Sequence, residues 1–481
     1  MIETLQKHLK YKNKYKFNIV YWGLGVENEL YLEFDKSYPF NKKYFLNNHR
    51  RERYSVDYYT NYKKNILDKA FTLIAMNQDI YKVCLPLLMN SFSFTKTDCK
   101  NNSMTQYTKL TEPNNLFNGT LLTDMVFKNN NYLNTYYDDN FVYDGDTIEF
   151  ITTNFFNTTL DSVIHELKYI KYNYILNLRK VFKEHNIFTE YGNINFMTKN
   201  HPFVIYLTNI NNVNMFNNGT LHFNITLPTK LDKEGDIEDT EKFIADHKQY
   251  IRFIQFMEPL LLAVYGTPDP FSYITQNTNC GQDENNSFSL QFSACSQRCA
   301  ISRYIGIGTY DTNNMEKGKL LVTPINSTIV AKESYGWYNI YYKMCAYNKL
   351  TELGYDINFN KHLNHGVEIR FFDHIYLEDD IMNALKFLIY LGDFSLQSTN
   401  IINPIYNIIW NDLVVEVMKY GRMKILSEEH ISIYNSIFNH SFLKKNIIDL
   451  YYEIYDLLKE KSKTFNSFSI NILKNIIISD I

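Results

Sequence analysis

Four stretches, far apart along the chain, alternate between apolar and polar residues. In Tyr21 to Phe34, glycines at Gly23 and Gly25 lead into Val26, Leu30 and Leu32 set against Glu27, Glu29, Tyr31 and Glu33. In Thr147 to Thr152, Thr147, Glu149 and Ile151 oppose Ile148 and Phe150; in Thr220 to Leu227, His222, Asn224 and Thr226 oppose Phe223, Ile225 and Leu227. In Val367 to Phe372, Glu368, Arg370 and Phe372 oppose Val367, Ile369 and Phe371. A period of two is that of a β-strand, so each stretch predicts a strand with one packed face and one ionisable face.

Elsewhere the spacing of apolar residues is helical. Ile66, Ala70, Leu73 and Ile74 predict a helix within Tyr62 to Asn77, and Leu160 to Leu178 predicts one or two over Thr158 to Glu184. Ile251, Ile254, Met257, Leu261 and Leu262 predict another over His247 to Val264, with Arg252, Gln255 and Glu258 three apart. Gly266, Pro268 and Pro270 leave it no continuation. From Asp379 the pattern is mostly helical to Ile481. Between Thr95 and Asn140, Asn-rich sequence with turns at Glu112-Pro113 and Asn118-Gly119 predicts a loop-dominated insertion, partly short strand or helix, and Asp144-Gly145 predicts a turn before the second strand. The expected organisation is one large unit over residues 1–400, with the insertion at about 95–140, and a helical C-terminal region over 401–481.

Composition narrows the function classes. The 481 residues are 45% hydrophobic and 21% charged, which is globular rather than disordered. A formal net charge of -3 offers no overall polycation, so nucleic acid is not an expected partner. The short basic run His49-Arg50-Arg51-Glu52-Arg53 suits a solvated surface or a nucleotide-phosphate contact. The six cysteines are too scattered for a disulfide framework, and Cys295 and Cys299 have no second pair at zinc spacing. Met1 to Lys16 lacks the apolar core of a secretory signal, and no stretch reaches the roughly 18 apolar residues of a membrane span. The expected location is the cytoplasm, with no membrane partner.

The chemistry lies in the polar faces of the four strands. Side by side in an antiparallel sheet, they would gather Glu27, Glu29, Glu149, His222, Asn224, Glu368 and Arg370 on one surface. Like charges buried together repel. Solvent on an exposed face relieves that repulsion, and so does Mg²⁺ or Mn²⁺, which also holds nucleotide phosphates. Further along, Cys295 to Gly308 mixes Ser, Arg and Gly and includes Arg303, and Lys317 and Lys319 flank Gly318. That mixture suits close backbone approach and charge-assisted anion contacts.

Five stretches taken in order, Gly25-Val26-Glu27-Asn28-Glu29, Thr147 to Thr152, Gly219 to Pro228, Gln255-Phe256-Met257-Glu258-Pro259-Leu260 and Gly366-Val367-Glu368-Ile369-Arg370, carry a resemblance. Together they resemble motifs of the glutamate-cysteine ligase and amidoligase branch of the glutamine synthetase-like superfamily, over roughly residues 19–400. The resemblance implies an α+β fold with a curved antiparallel sheet forming an open funnel, helices on its outer face, and ATP with two or three Mg²⁺ (or Mn²⁺) ions inside. It implies Glu27, Glu29, Glu149, His222 and Glu368 as metal ligands, and Arg370 and Arg303 as catalytic contacts to phosphate or the acyl substrate. Asn224 and Lys319 complete the expected nucleotide-binding set.

The implied reaction is an ATP-dependent amide-bond-forming ligation. A substrate carboxylate attacks the γ-phosphorus, ADP leaves, and an amine attacks the acyl phosphate. The expected substrates are an amino acid or small peptide and an amine. Two alternatives stay open: a phosphotransferase of the same fold, and a non-catalytic relative that binds a nucleotide or a protein. Assembly into a homo-oligomer also stays open.

Overall fold

The computed structural model describes residues 20–39, 82–87, 89, 92–94, 99–101, 120–121, 129–143, 147–153, 160–185, 187–197, 219–234, 236–266, 309–315, 321–322, 356–360 and 366–462. The alternating stretches form the central sheet, except that the first breaks at Tyr31, and Leu32 to Phe34 pair in a second sheet. The strands of the central sheet are β1 (Val20–Leu30), β2 (Phe141–Val142), β3 (Ile148–Ile151), β4 (Thr220–Lys230), β5 (Ile357–Phe359) and β6 (Val367–Asp373). Each neighbouring pair is antiparallel, in the order β5-β6-β4-β1-β3-β2.

That order corrects the expected curved funnel. The mixed α+β class holds, but among the described residues the sheet is open: β5 and β2, three and two residues long, end it on opposite sides and do not pair with each other. Alternation determines which face a side chain takes. It carries no information on whether a sheet curls toward closure, which depends on strand tilt and stagger.

One face of the sheet is the apolar core. Leu24, Val26 and Leu30 from β1, Leu221, Phe223, Ile225 and Leu227 from β4, and Val367, Ile369 and Phe371 from β6 are buried. Three helices cover them: α1 (Leu160–Glu184), α2 (Thr240–Tyr265) and α3 (Glu378–Gln397). The span read as one or two helices is a single one of 25 residues, because Leu160, Val163, Ile164, Leu167, Ile170, Tyr174 and Leu178 keep one unbroken stripe. At Gly392 of α3 an added Cβ would lie 2.8 Å from Leu227 Cδ2 and 3.2 Å from Trp22 Cη2, so glycine lets this helix approach the sheet.

The C-terminal helices α4 (Ile408–Tyr420), α5 (Glu428–Phe438) and α6 (Ile447–Lys461) join the same core. Their anchor is Pro259, inside α2. A proline has no N–H to give the carbonyl four residues back, here that of Gln255. Trp410 Nε1 of α4 donates to that carbonyl at 2.8 Å, and Tyr434 OH of α5 donates to the next one, Phe256 O, at 3.1 Å.

Small strands flank the core: Leu32–Pro39 with Lys82–Leu87 and Ile194–Phe196, and Phe92–Phe94 with Cys99–Asn101 and Thr120–Leu121. The short helix allowed for within the insertion is Asn131–Tyr136. The expected helix at 62–77, the turn at Asp144-Gly145, the basic run at 49–53, the segment 295–308 and Lys319 lie outside the described residues. Among the described residues no helix is long and apolar enough to cross a membrane.

Candidate metal centre

Register brings the polar side chains together. Glu27 of β1 is the direct partner of His222 on β4, and Glu368 of β6 is the partner of Asn224 on β4 and of Asn358 on β5. His222 Nδ1 lies 3.0 Å from Glu27 Oε2 and 3.5 Å from Glu368 Oε1. Glu27, His222 and Glu368 each offer a ligand atom, all within 4.8 Å of one another. They are 9%, 6% and 3% exposed, which removes the solvated-face reading for these three residues.

The neighbours fix the carboxylates. Asn224 Nδ2 donates to Glu27 Oε1 at 3.2 Å, and Asn358 Nδ2 donates to Glu368 Oε2 at 2.7 Å. Arg370 Nη1 donates to Glu368 Oε1 at 2.5 Å. Glu29 is held on both oxygens, by the Thr147 and Thr220 hydroxyls, each at 2.7 Å. Glu149, half-buried, is the register partner of Glu29, and its charge acts on Arg370. Of the expected site residues, Arg303 and Lys319 lie outside the described residues. Asn358 was not foreseen as a partner of Glu368, nor were the two hydroxyls as partners of Glu29. Thr147 and Thr220 stand two residues from Glu149 and His222, which is the signal that places them on this face.

Burial and then the Arg370 charge hold His222 below the ordinary histidine pKa, against the upward pull of Glu27 and Glu368. A neutral imidazole is the form that binds a metal. For Arg370, burial alone would lower the pKa, but the charges of Glu368, Glu27 and Glu149 raise it above the ordinary value, so it stays a cation.

The residues fit a divalent ion. Ligands at roughly 2.1 Å on adjacent octahedral positions stand about 3 Å apart, close to the 3.0 and 3.5 Å that separate Nδ1 from the two oxygens. Two carboxylates and one imidazole suit Mn²⁺, and Mg²⁺ less closely because it favours an all-oxygen shell. The second imidazole nitrogen, His222 Nε2, is buried with no hydrogen-bond partner among the described residues.

Behind the sheet, Asn28 points away from its neighbours Glu27 and Glu29 into the core and is fully buried. Lys171 Nζ of α1 lies 3.4 Å from Asn28 Oδ1 and 3.4 Å from Glu378 Oε1. Burial lowers the Lys171 pKa, and Glu378 opposes that. One buried amine thus ties the strand that bears Glu27 to the helix that follows the strand bearing Glu368.

A protein of Acanthamoeba polyphaga mimivirus, described as "Uncharacterized protein R704", is 35% identical to this chain over 447 residues, which are 93% of this chain and 75% of the viral protein. No protein-family model and no solved structure matches the chain.

Proposed function

The chain belongs to the family of that viral protein, and from the Glu27, His222 and Glu368 cluster we propose a divalent-cation-dependent enzyme that joins a carboxylate to an amine at the expense of ATP. The observation that carries this reading is the convergence of three buried ligand atoms from β1, β4 and β6. The open sheet lends it no support, so it rests on the cluster and on the five sequence stretches.

Glu27, His222 and Glu368 would hold the Mn²⁺ or Mg²⁺ ion, while Asn224 and Asn358 keep the two carboxylates oriented. When bound, such an ion supplies Lewis-acid stabilisation of phosphoryl oxygens. Glu29 and Glu149 place further negative charge along the same face. Arg370 supplies the positive charge for a substrate carboxylate or a phosphate, a role that Arg303 and Lys319 share by their chemistry alone.

The substrate carboxylate oxygen bonds to the γ-phosphorus of ATP as the bond to the ADP oxygen breaks. An amine then bonds to the acyl carbon, phosphate leaves, and the amine gives up a proton. An amino acid or small peptide is the proposed acid, and an ATP-dependent reaction on such substrates belongs in the cytoplasm.

The test incubates the full chain with ATP, Mn²⁺ or Mg²⁺, and pools of amino acids and small amines, then reads ADP, phosphate and new amides by mass. Amide with one ADP and one phosphate per bond is expected. Cation binding without nucleotide turnover on any pool would contradict the ligase, and a phosphorylated nitrogen product would replace it with a phosphotransferase.

One observation favours a second reading. Each oxygen of Glu27, Glu29 and Glu368 already has a side-chain partner within the chain. Such a self-satisfied network also suits a relative that binds without catalysing, and the same assay separates the two.

A further inference from the structure

The Glu368 oxygen that faces His222 is the one that Arg370 holds. Glu368 Oε1 accepts from Arg370 Nη1 at 2.5 Å and also faces His222 Nδ1 at 3.5 Å. The other oxygen, Oε2, already accepts from Asn358 Nδ2 at 2.7 Å, so rotating the carboxylate exchanges one occupied atom for another. Arg370 Nε is buried and without a hydrogen-bond partner among the described residues, so the ion pair leaves part of the guanidinium uncommitted. Two cations a few ångströms apart in buried surroundings repel strongly.

We propose that Arg370 is the built-in counterion of this cluster, and that its pairing with Glu368 and the binding of a divalent cation there exclude one another. The inference rests on the metal reading above. Its consequence is an order of events. A cation that takes Glu368 Oε1 releases the guanidinium, whose planar fork then meets a carboxylate or phosphate of the substrate. Cation and anionic substrate are thereby coupled, each favouring the other.

The experiment titrates the full chain and two variants, Arg370→Met and Arg370→Lys, with Mn²⁺ alone, by calorimetry or by the paramagnetic signal of the free ion. Arg370→Met is expected to bind Mn²⁺ about tenfold or more tightly than the parent, having lost the competing charge. Without Mn²⁺ its Tm is expected below that of the parent, because Glu368 has lost its counter-charge, and saturating Mn²⁺ should close that gap. Arg370→Lys keeps a cation and is expected within about threefold of the parent affinity. Equal or weaker binding by Arg370→Met, with the parent binding normally, overturns the counterion and leaves the metal centre standing. No binding by the parent or either variant removes the metal centre, and the counterion with it. Should Arg370→Met fail to fold, the parent's Arg370 Nε–H resonance, identified by its loss in Arg370→Lys, must shift as Mg²⁺ saturates the site; an unmoved resonance overturns the proposal.

Discussion

Glu27 and His222 face each other as register partners across β1 and β4, with Nδ1 3.0 Å from Oε2. Glu368 Oε1 lies 3.5 Å from the same nitrogen. Two carboxylates drawn to one buried imidazole nitrogen are the geometric core of the functional proposal.

Removing one of these carboxylates should lower turnover, and at Glu368 it should also lower stability, because the buried Arg370 loses its counter-charge. Glu27→Gln and Glu368→Gln preserve size and a hydrogen-bonding head. Each is expected to lower turnover by about 10²-fold or more, roughly 2.7 kcal/mol of transition-state stabilisation. Glu149→Gln is expected to act in the same direction through the charge that Glu149 places near Arg370. Steady-state rates within about threefold of the parent for all three would contradict their assigned roles.

Gly366 precedes the strand that bears Glu368, and a side chain there has no room. A Cβ would lie 2.2 Å from His247 Nε2 and 2.7 Å from Ile225 O. Gly366→Ala is therefore expected to destabilise the chain by about 1–3 kcal/mol, the usual range for overpacking. Urea unfolding reads this directly, and an unchanged midpoint would show that the helix and sheet yield more easily than their packing implies.

His247 makes the fold acid-sensitive. Its ring lies 2.7 Å from Phe243 O through Nδ1 and accepts from Leu227 N at 3.0 Å through Nε2, so both nitrogens are engaged by a neutral ring. Burial pushes its pKa from 6.5 down to about 4. The unfolded chain takes up this proton as the pH falls below 6.5 while the folded chain resists until about 4, so this stability is full above 6.5 and drains away across that window. Between about pH 7.5 and about pH 5 the loss is about 2 kcal/mol from this ring. Burial likewise lowers His374, to about 3, so its loss falls in the same direction. Urea unfolding at the two pH values measures the difference, and equal stabilities would contradict the neutral, buried state of these rings.

Trp410→Phe should loosen the join between α4 and α2. The variant leaves the Gln255 carbonyl, already without a partner from Pro259, with no indole N–H to replace it. The expected loss is about 1–3 kcal/mol, the penalty of one unsatisfied buried acceptor. Tyr434→Phe removes the neighbouring bond to Phe256 O and should act in the same direction. A change below roughly 0.5 kcal/mol in Trp410→Phe would show that the carbonyl finds another donor.

The face of a side chain was legible in the sequence where the strand is regular; Phe372, expected beside Glu368 and Arg370, instead pairs in register with Leu221 and packs on Phe223, because the β4–β6 register shifts between Leu221 and Phe223. Period-two alternation put Glu27, His222 and Glu368 on one side and Val26, Phe223 and Ile369 on the other, as the sheet has them. Partnership was not legible, because alternation is indifferent to register: only the folded sheet pairs Glu27 with His222 rather than with Thr220 or Asn224. Asn358 sits in a strand of three residues, too short to display a period. Lys171 falls within the apolar stripe of α1, between Leu167 and Tyr174, and that misplaced charge is the signal that could have found it. The funnel failed for a different reason, since it came from resemblance and no local pattern encodes the closure of a sheet.

On the proposed function, Glu27, His222 and Glu368 share one divalent ion. A crystal of the full chain grown with Mn²⁺ and measured for anomalous scattering tests it most directly. A strong peak is expected at roughly 2.0–2.3 Å from a Glu27 oxygen, a His222 nitrogen and a Glu368 oxygen, and is expected to be lost in Glu27→Gln. A map with no peak at this cluster at saturating Mn²⁺, with Arg370 still paired to Glu368, would contradict it.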